Sequence, residues 1–155
     1  MFFALQILLF NNINLFGYIN PYPYILFILL YPINGNKLLL LFSSFMLGIA
    51  IDIFENSGGI HALSSVTLAF VLPSLFKFSY GLSYEYQTIK IAEKVRSELI
   101  TLLLLAIFIH HFILFFFELF RFDLIVDILA KTLYSTIFTF IVSLLIIILI
   151  KPNKR

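Results

Sequence analysis

An all-α integral membrane protein, with six transmembrane or membrane-embedded helices, is the fold class that this sequence predicts. Three observations carry the prediction. The chain of 155 residues is 62% hydrophobic and 12% charged, with a mean hydropathy of +1.09. A soluble domain carries about 25% charged residues, so a water-facing surface is missing. The apolar runs are continuous, as in "LITLLLLAIFI" and "FIVSLLIIILI". They lack the alternation of a barrel strand, and in lipid that leaves helices, which satisfy their own backbone. The third observation is that Lys and Arg cluster between and after the runs.

The first segment is expected over about residues 2–16, interrupted at Asn11–Asn12. The second, about 21–33, opens at "NPYP" and closes at Pro32. At about 20 Å of helical rise it spans a bilayer only if extended or kinked. The third covers about 37–54, the fourth about 60–78, the fifth about 97–119 and the sixth about 125–150. Five helices, with the first lost or merged into the second, is the alternative. No linker divides the chain, so residues 1–155 are read as one polytopic domain.

Lys77, Lys90, Lys94 and Arg96 precede the fifth segment, and Lys151, Lys154 and Arg155 follow the sixth. Two crossings separate these groups, so they share a side, and Lys37 joins them. Only Arg121 and Lys131 fall opposite. The positive-inside rule then makes both termini cytoplasmic. Met1 runs almost directly into apolar sequence, with no basic region of a cleavable signal. The loop over about 79–96 mixes Tyr, Glu and Lys and is the largest segment expected to meet the cytoplasm.

Without cysteine there is neither a disulfide framework nor a thiolate metal site, and a net charge of +2 does not suggest nucleic acid. The polar residues concentrate in "GIAIDIFENSGGIHA", Gly48 to Ala62. Ser44, Gly48 and Asp52 recur at four-residue spacing, as do His61, Ser65 and Ala69. Stripes of small residues let membrane helices approach closely. With Gly58–Gly59 supplying the reversal, the expectation is a tight helical hairpin with the stripes facing. Asp52 falls where the helix dipole disfavours a carboxylate, so it needs a partner, and His61 is the nearest by sequence.

His110 and His111 lie inside the fifth segment. Neighbouring helical residues point about 100° apart, so one is expected to face the bundle and the other a partner or the interface. Glu118, seven residues after His111, is expected to pair with it in packing. Ser135, Thr139 and Ser143 make a further stripe read as packing glue. Asp127 and Lys131 have the spacing of an i, i+4 pair. Phe115–Phe117 is read as lipid-facing or packed bulk. No nucleophile–base pair, phosphate loop or metal motif stands out, so no enzyme activity, cofactor or metal is expected.

The segment "LGIAIDIFENSGGIHA" resembles the signature of the rod shape-determining MreD family: a Gly, an Asp four later, then Gly-x-His-Ala. The matching positions are Gly48, Asp52, Gly59, His61 and Ala62. "FGYINPYPYILFILLYP" is similar to that family's first outer loop and second helix, and "IHHFILFFFELF" to a fifth helix found in one branch. Leu72 stands where many relatives carry a basic residue. The resemblance implies a bacterial inner-membrane scaffold of the cell-elongation machinery. Such a protein binds MreC, and through it MreB, RodA and a penicillin-binding transpeptidase. A partner helix is expected to dock on an exposed small-residue face around Gly48 and Ala62. The family's fold is similar to the substrate-binding subunits of energy-coupling-factor transporters. That makes a small-molecule-binding subunit the alternative function.

Overall fold

A computed structural model describes residues 2–10, 13, 19–81 and 97–150. Among these the architecture is entirely helical. The elements are α1 (Phe2–Leu8), α2 (Ile25–Leu29), α3 (Lys37–Glu55), α4 (Ile60–Tyr80), α5 (Ser97–Leu119) and α6 (Ile125–Ile150), with a 3-10 turn (Phe122–Leu124) leading into α6. Among the described residues four helices are long and apolar enough to cross a membrane: α3, α4, α5, and α6 with its leading turn. The protein is thus a multi-pass membrane protein. Much of the loop over 79–96 and the tail from Lys151 lie outside the described residues.

Six helices are present among the described residues, and α2 is not a span. α1 covers Phe2–Leu8 of the expected 2–16, part of which lies outside the described residues, and α2 has five residues where about thirteen were expected. Proline explains α2. Pro21 and Pro23 fix φ before it, and Pro32 disfavours helix at Tyr31. The first turn is tight, with Ile25, Leu26 and Phe27 donating to the carbonyls three residues back. At roughly 7.5 Å of rise, α2 cannot traverse lipid. It is instead a plug: Tyr24, Ile25, Leu26, Ile28 and Leu29 are buried against α4 and α5. Irregular backbone at membrane depth needs such cover, since lipid offers it no hydrogen bonds.

The spans pack in sequence order, α3 on α4, α4 on α5 and α5 on α6. Asn36 caps α3, its side-chain oxygen accepting from the N–H of Leu38 at 2.9 Å. Asn56 ends α3 in the left-handed conformation, and Gly58 and Gly59 continue with φ of 70° and 99°. Glycine takes those angles without the cost that a side chain meets. α5 buries Leu99, Leu102, Leu103, Ala106, Ile107, Leu114 and Phe115, the three-and-four spacing of one helical face. Phe117, by contrast, is exposed, so the Phe115–Phe117 run divides between core and surface. Leu38, Phe70, Leu133 and Leu149 are among many large apolar side chains left exposed on the spans. Lipid is the solvent that such a surface suits.

Candidate functional site: a polar network at the hairpin end

The hairpin between α3 and α4 is built around Asp52. Its Oδ1 accepts from the backbone N–H of His61 at 3.0 Å and from the Ser57 hydroxyl. Its Oδ2 accepts from the N–H of Ala62 at 2.9 Å. The backbone carbonyl of Asp52 also accepts from the N–H of Ser57. The carboxylate at the negative end of α3 is therefore compensated by the positive end of α4, whose first N–H groups have no partner within their own helix. Gly59, the residue before α4, has no side chain to cap with, and Asp52 does that work across the turn.

Gly48 makes the approach possible. A Cβ at this position would lie 2.3 Å from the Ala62 Cα and 2.6 Å from its nitrogen. Gly48, Asp52, His61 and Ala62 are consequently buried inside the hairpin. This corrects the expectation that Gly48 and Ala62 present an open face to a partner helix. Gly59 and the edge of Ala62 instead line an apolar groove of about 320 Å³ with Phe45, Ile49, Leu63 and Val66.

The His61 ring does not pair with Asp52. Its Nε2 lies 2.8 Å from Glu55 Oε2, and its Nδ1 lies 3.0 Å from the Tyr24 hydroxyl. That hydroxyl is also 2.7 Å from His110 Nε2. A continuous chain, Glu55–His61–Tyr24–His110, thus links α3, α4, the start of α2 and α5. A second chain runs beside it. Tyr22 N–H donates to Thr139 Oγ1 at 3.0 Å, and Thr139 Oγ1 is 3.2 Å from His111 Nε2. His111 Nδ1 is 2.7 Å from the Ile107 carbonyl, which can only accept. His111 therefore carries its proton on Nδ1 and takes the Thr139 hydroxyl proton on Nε2.

Both α5 histidines are fully buried, which corrects the expectation that one faces outward. Their divergence is real, but α2 and α6 supply a polar partner on each side. Glu118 does not pair with His111, and Asp127 is not the carboxylate that holds Lys131. Lys131 reaches back from α6 to Glu118 on α5 at 2.8 Å, with its ammonium 4.5 Å from the centre of the Phe115 ring. The tight turn between the two helices brings these groups together, a proximity that helical spacing within α6 does not reveal.

Glu55, Ser57, His61, Tyr22, Phe117 and Glu118 surround a crevice of about 330 Å³ at this end of the bundle. No group of three or more His, Cys, Asp or Glu among the described residues has the arrangement of a metal site. Glu55, Tyr22 and Tyr24 are the site residues that sequence reasoning missed. Their signal was present in "NPYPY" and in the Glu beside the turn. The first reads as helix punctuation, and Glu55 carries no assigned role in the sequence reading.

No family model matches the chain, and no curated protein or solved structure is significantly similar to it.

Proposed function

We propose that this chain is a non-enzymatic scaffold of the bacterial cell-elongation complex, of the MreD kind. In this reading it lies in the inner membrane with both termini cytoplasmic. It binds MreC, and through it MreB, RodA and a penicillin-binding transpeptidase. One observation supports the reading above others. The five positions that carry the resemblance, Gly48, Asp52, Gly59, His61 and Ala62, belong to one interlocked hairpin. Their polar atoms serve that hairpin and its neighbours. A rigid hairpin flanked by the groove at Gly59, Leu63 and Val66 suits a platform on which a single-pass helix docks.

Deletion in the native bacterium tests this. Rounded cells, restored to rods by this chain, are the expected outcome. Val66→Trp, which fills the groove from its rim, should insert normally yet fail to co-purify MreC. Normal shape after deletion would overturn the proposal.

The crevice gives a second reading some footing: a small-molecule-binding subunit of the energy-coupling-factor type. About 330 Å³ lies at the lower end of ligand pockets, and Glu55, His61, Tyr22 and Glu118 offer polar contacts. Native mass spectrometry of the detergent-extracted protein decides it, since a stoichiometric bound metabolite is required.

A further inference from the structure

The Tyr24 hydroxyl has one proton and two imidazole nitrogens within hydrogen-bond distance, His61 Nδ1 and His110 Nε2. It can donate to only one of them, so the other must donate to it. Ser65 Oγ, buried nearby on α4, lies close enough to Tyr24 to act on it electrostatically but does not meet hydrogen-bond geometry, so the two imidazoles are the partners that hold the hydroxyl. With Glu55 ionised, its carboxylate takes the Nε2 proton of His61. Neutral His61 then turns a bare Nδ1 to Tyr24, Tyr24 donates to it, and His110 must present Nε2–H. The far nitrogen of His110 gives the same answer independently. His110 Nδ1 is buried without a partner. An orphaned acceptor is tolerated there better than an orphaned N–H.

We propose that this network is a buried proton-binding site shared by two histidines: the added charge comes to rest on His61 against Glu55, and His110 changes tautomer through Tyr24. The balance is simple. A hydronium ion gives its proton to His110 Nδ1 and leaves as water. The His110 Nε2–H bond breaks as its proton passes to the Tyr24 oxygen. The original Tyr24 O–H bond breaks as that proton passes to His61 Nδ1. One N–H is gained overall, and both hydrogen bonds on Tyr24 reverse polarity. The charge rests not on the unpaired core position at His110 but on the His61 ring, whose Nε2 lies 2.8 Å from Glu55 Oε2. The protonated state leaves His110 Nδ1–H without an acceptor, a cost that the His61–Glu55 ion pair must outweigh, and a lone buried imidazolium at His110 would cost more.

The surroundings suit this assignment. His61 and Glu55 both line the crevice, so the charged end meets the opening of the bundle. Asp52, on α3, binds the His61 backbone N–H. The Tyr22 ring lies 5.5 Å from the His61 ring, and Glu118 of α5, held by Lys131 of α6, shares the crevice. His111, 5.5 Å from His110 between ring centres, is fixed by Ile107 and Thr139 and takes no part. The inference is independent of the scaffold reading.

The test is ring-nitrogen NMR of the full chain, labelled at histidine and held in lipid nanodiscs, from about pH 8 to about pH 5, either side of an ordinary histidine. At the upper end His61 and His110 should both be Nε2–H tautomers and His111 Nδ1–H. On acidification His61 should become doubly protonated while His110 turns to Nδ1–H at the same midpoint. Tyr24→Phe should leave the His61 step and abolish the His110 change. If that variant does not fold, Glu55→Gln serves, and the two changes should still share one midpoint, displaced from that of the unsubstituted chain. The proposal is overturned if His110 is already Nδ1–H at the upper end, if His61 gains its proton with no change at His110, or if neither ring titrates.

Discussion

Asp52 in α3 accepts a hydrogen bond from the backbone N–H of Ala62 in α4 at 2.9 Å, so one helix's acidic side chain is the next helix's cap. Hydrogen bonds to a charged group contribute about 1.5–3 kcal/mol each, and orphaned buried donors cost a similar amount. Asp52→Ala leaves the N–H groups of His61 and Ala62 without this acceptor. We expect a loss of about 2–4 kcal/mol, read as a lowered thermal midpoint in detergent. Asp52→Asn keeps an acceptor oxygen and should lose less. Equal losses from the two would refute the capping role.

Gly48 faces backbone, not a flexible side chain, so its neighbour cannot step aside. Gly48→Ala should push α3 and α4 apart and destabilise by about 1–3 kcal/mol, the range of overpacked cores. Gly58→Ala is a useful contrast. Open space surrounds Gly58, and only its φ of 70° resists a side chain. It should cost about 1–2 kcal/mol without altering the distance between the helices, which spin labels at exposed Phe45 and Phe70 can read.

Thr139 joins α6 to the segment before α2, accepting from Tyr22 N–H and reaching His111 Nε2. Thr139→Val preserves shape but removes both bonds. It should cost about 1–3 kcal/mol. It should also speed hydrogen exchange at the Tyr22 amide, which amide-resolved exchange measures. Unchanged protection at Tyr22 would count against the bond.

The Lys131–Glu118 bridge is half-exposed and should matter little. Lys131→Met is expected to change stability by at most about 1 kcal/mol, with the difference vanishing at high salt if water reaches the pair. A larger, salt-independent loss would show that the pair is screened from water.

The hairpin was legible in the sequence because its information is local. Gly48, Asp52, Gly59, His61 and Ala62 lie within fifteen positions. Their helical spacing fixes which ones meet. The four long spans were legible for the same reason, from continuous apolar runs. The prolines bound the second segment in the sequence as well, but that they confine its helix to Ile25–Leu29 is not evident there. The polar network was not legible. Tyr24 reaches His110 across 86 positions and Tyr22 reaches Thr139 across 117. Periodicity within a helix says nothing about which distant side chain will stand opposite. The ring of His61 shows the limit most clearly. Sequence proximity pointed it at Asp52, whereas the backbone N–H groups of α4 claimed that carboxylate and left the ring for Glu55 and Tyr24.

The five residues of α2 are too few for the insertion machinery to recognise as a membrane segment, yet they are at the centre of the finished bundle. Their contacts are with α4 and α5, which emerge from the ribosome later. Assembly must therefore run against the order of synthesis: the early segment waits until its cavity has been made by helices that follow it. During that interval Tyr22 and Tyr24 lack their partners, and the protein passes through an incomplete form in which His110, His111 and Thr139 have yet to be covered.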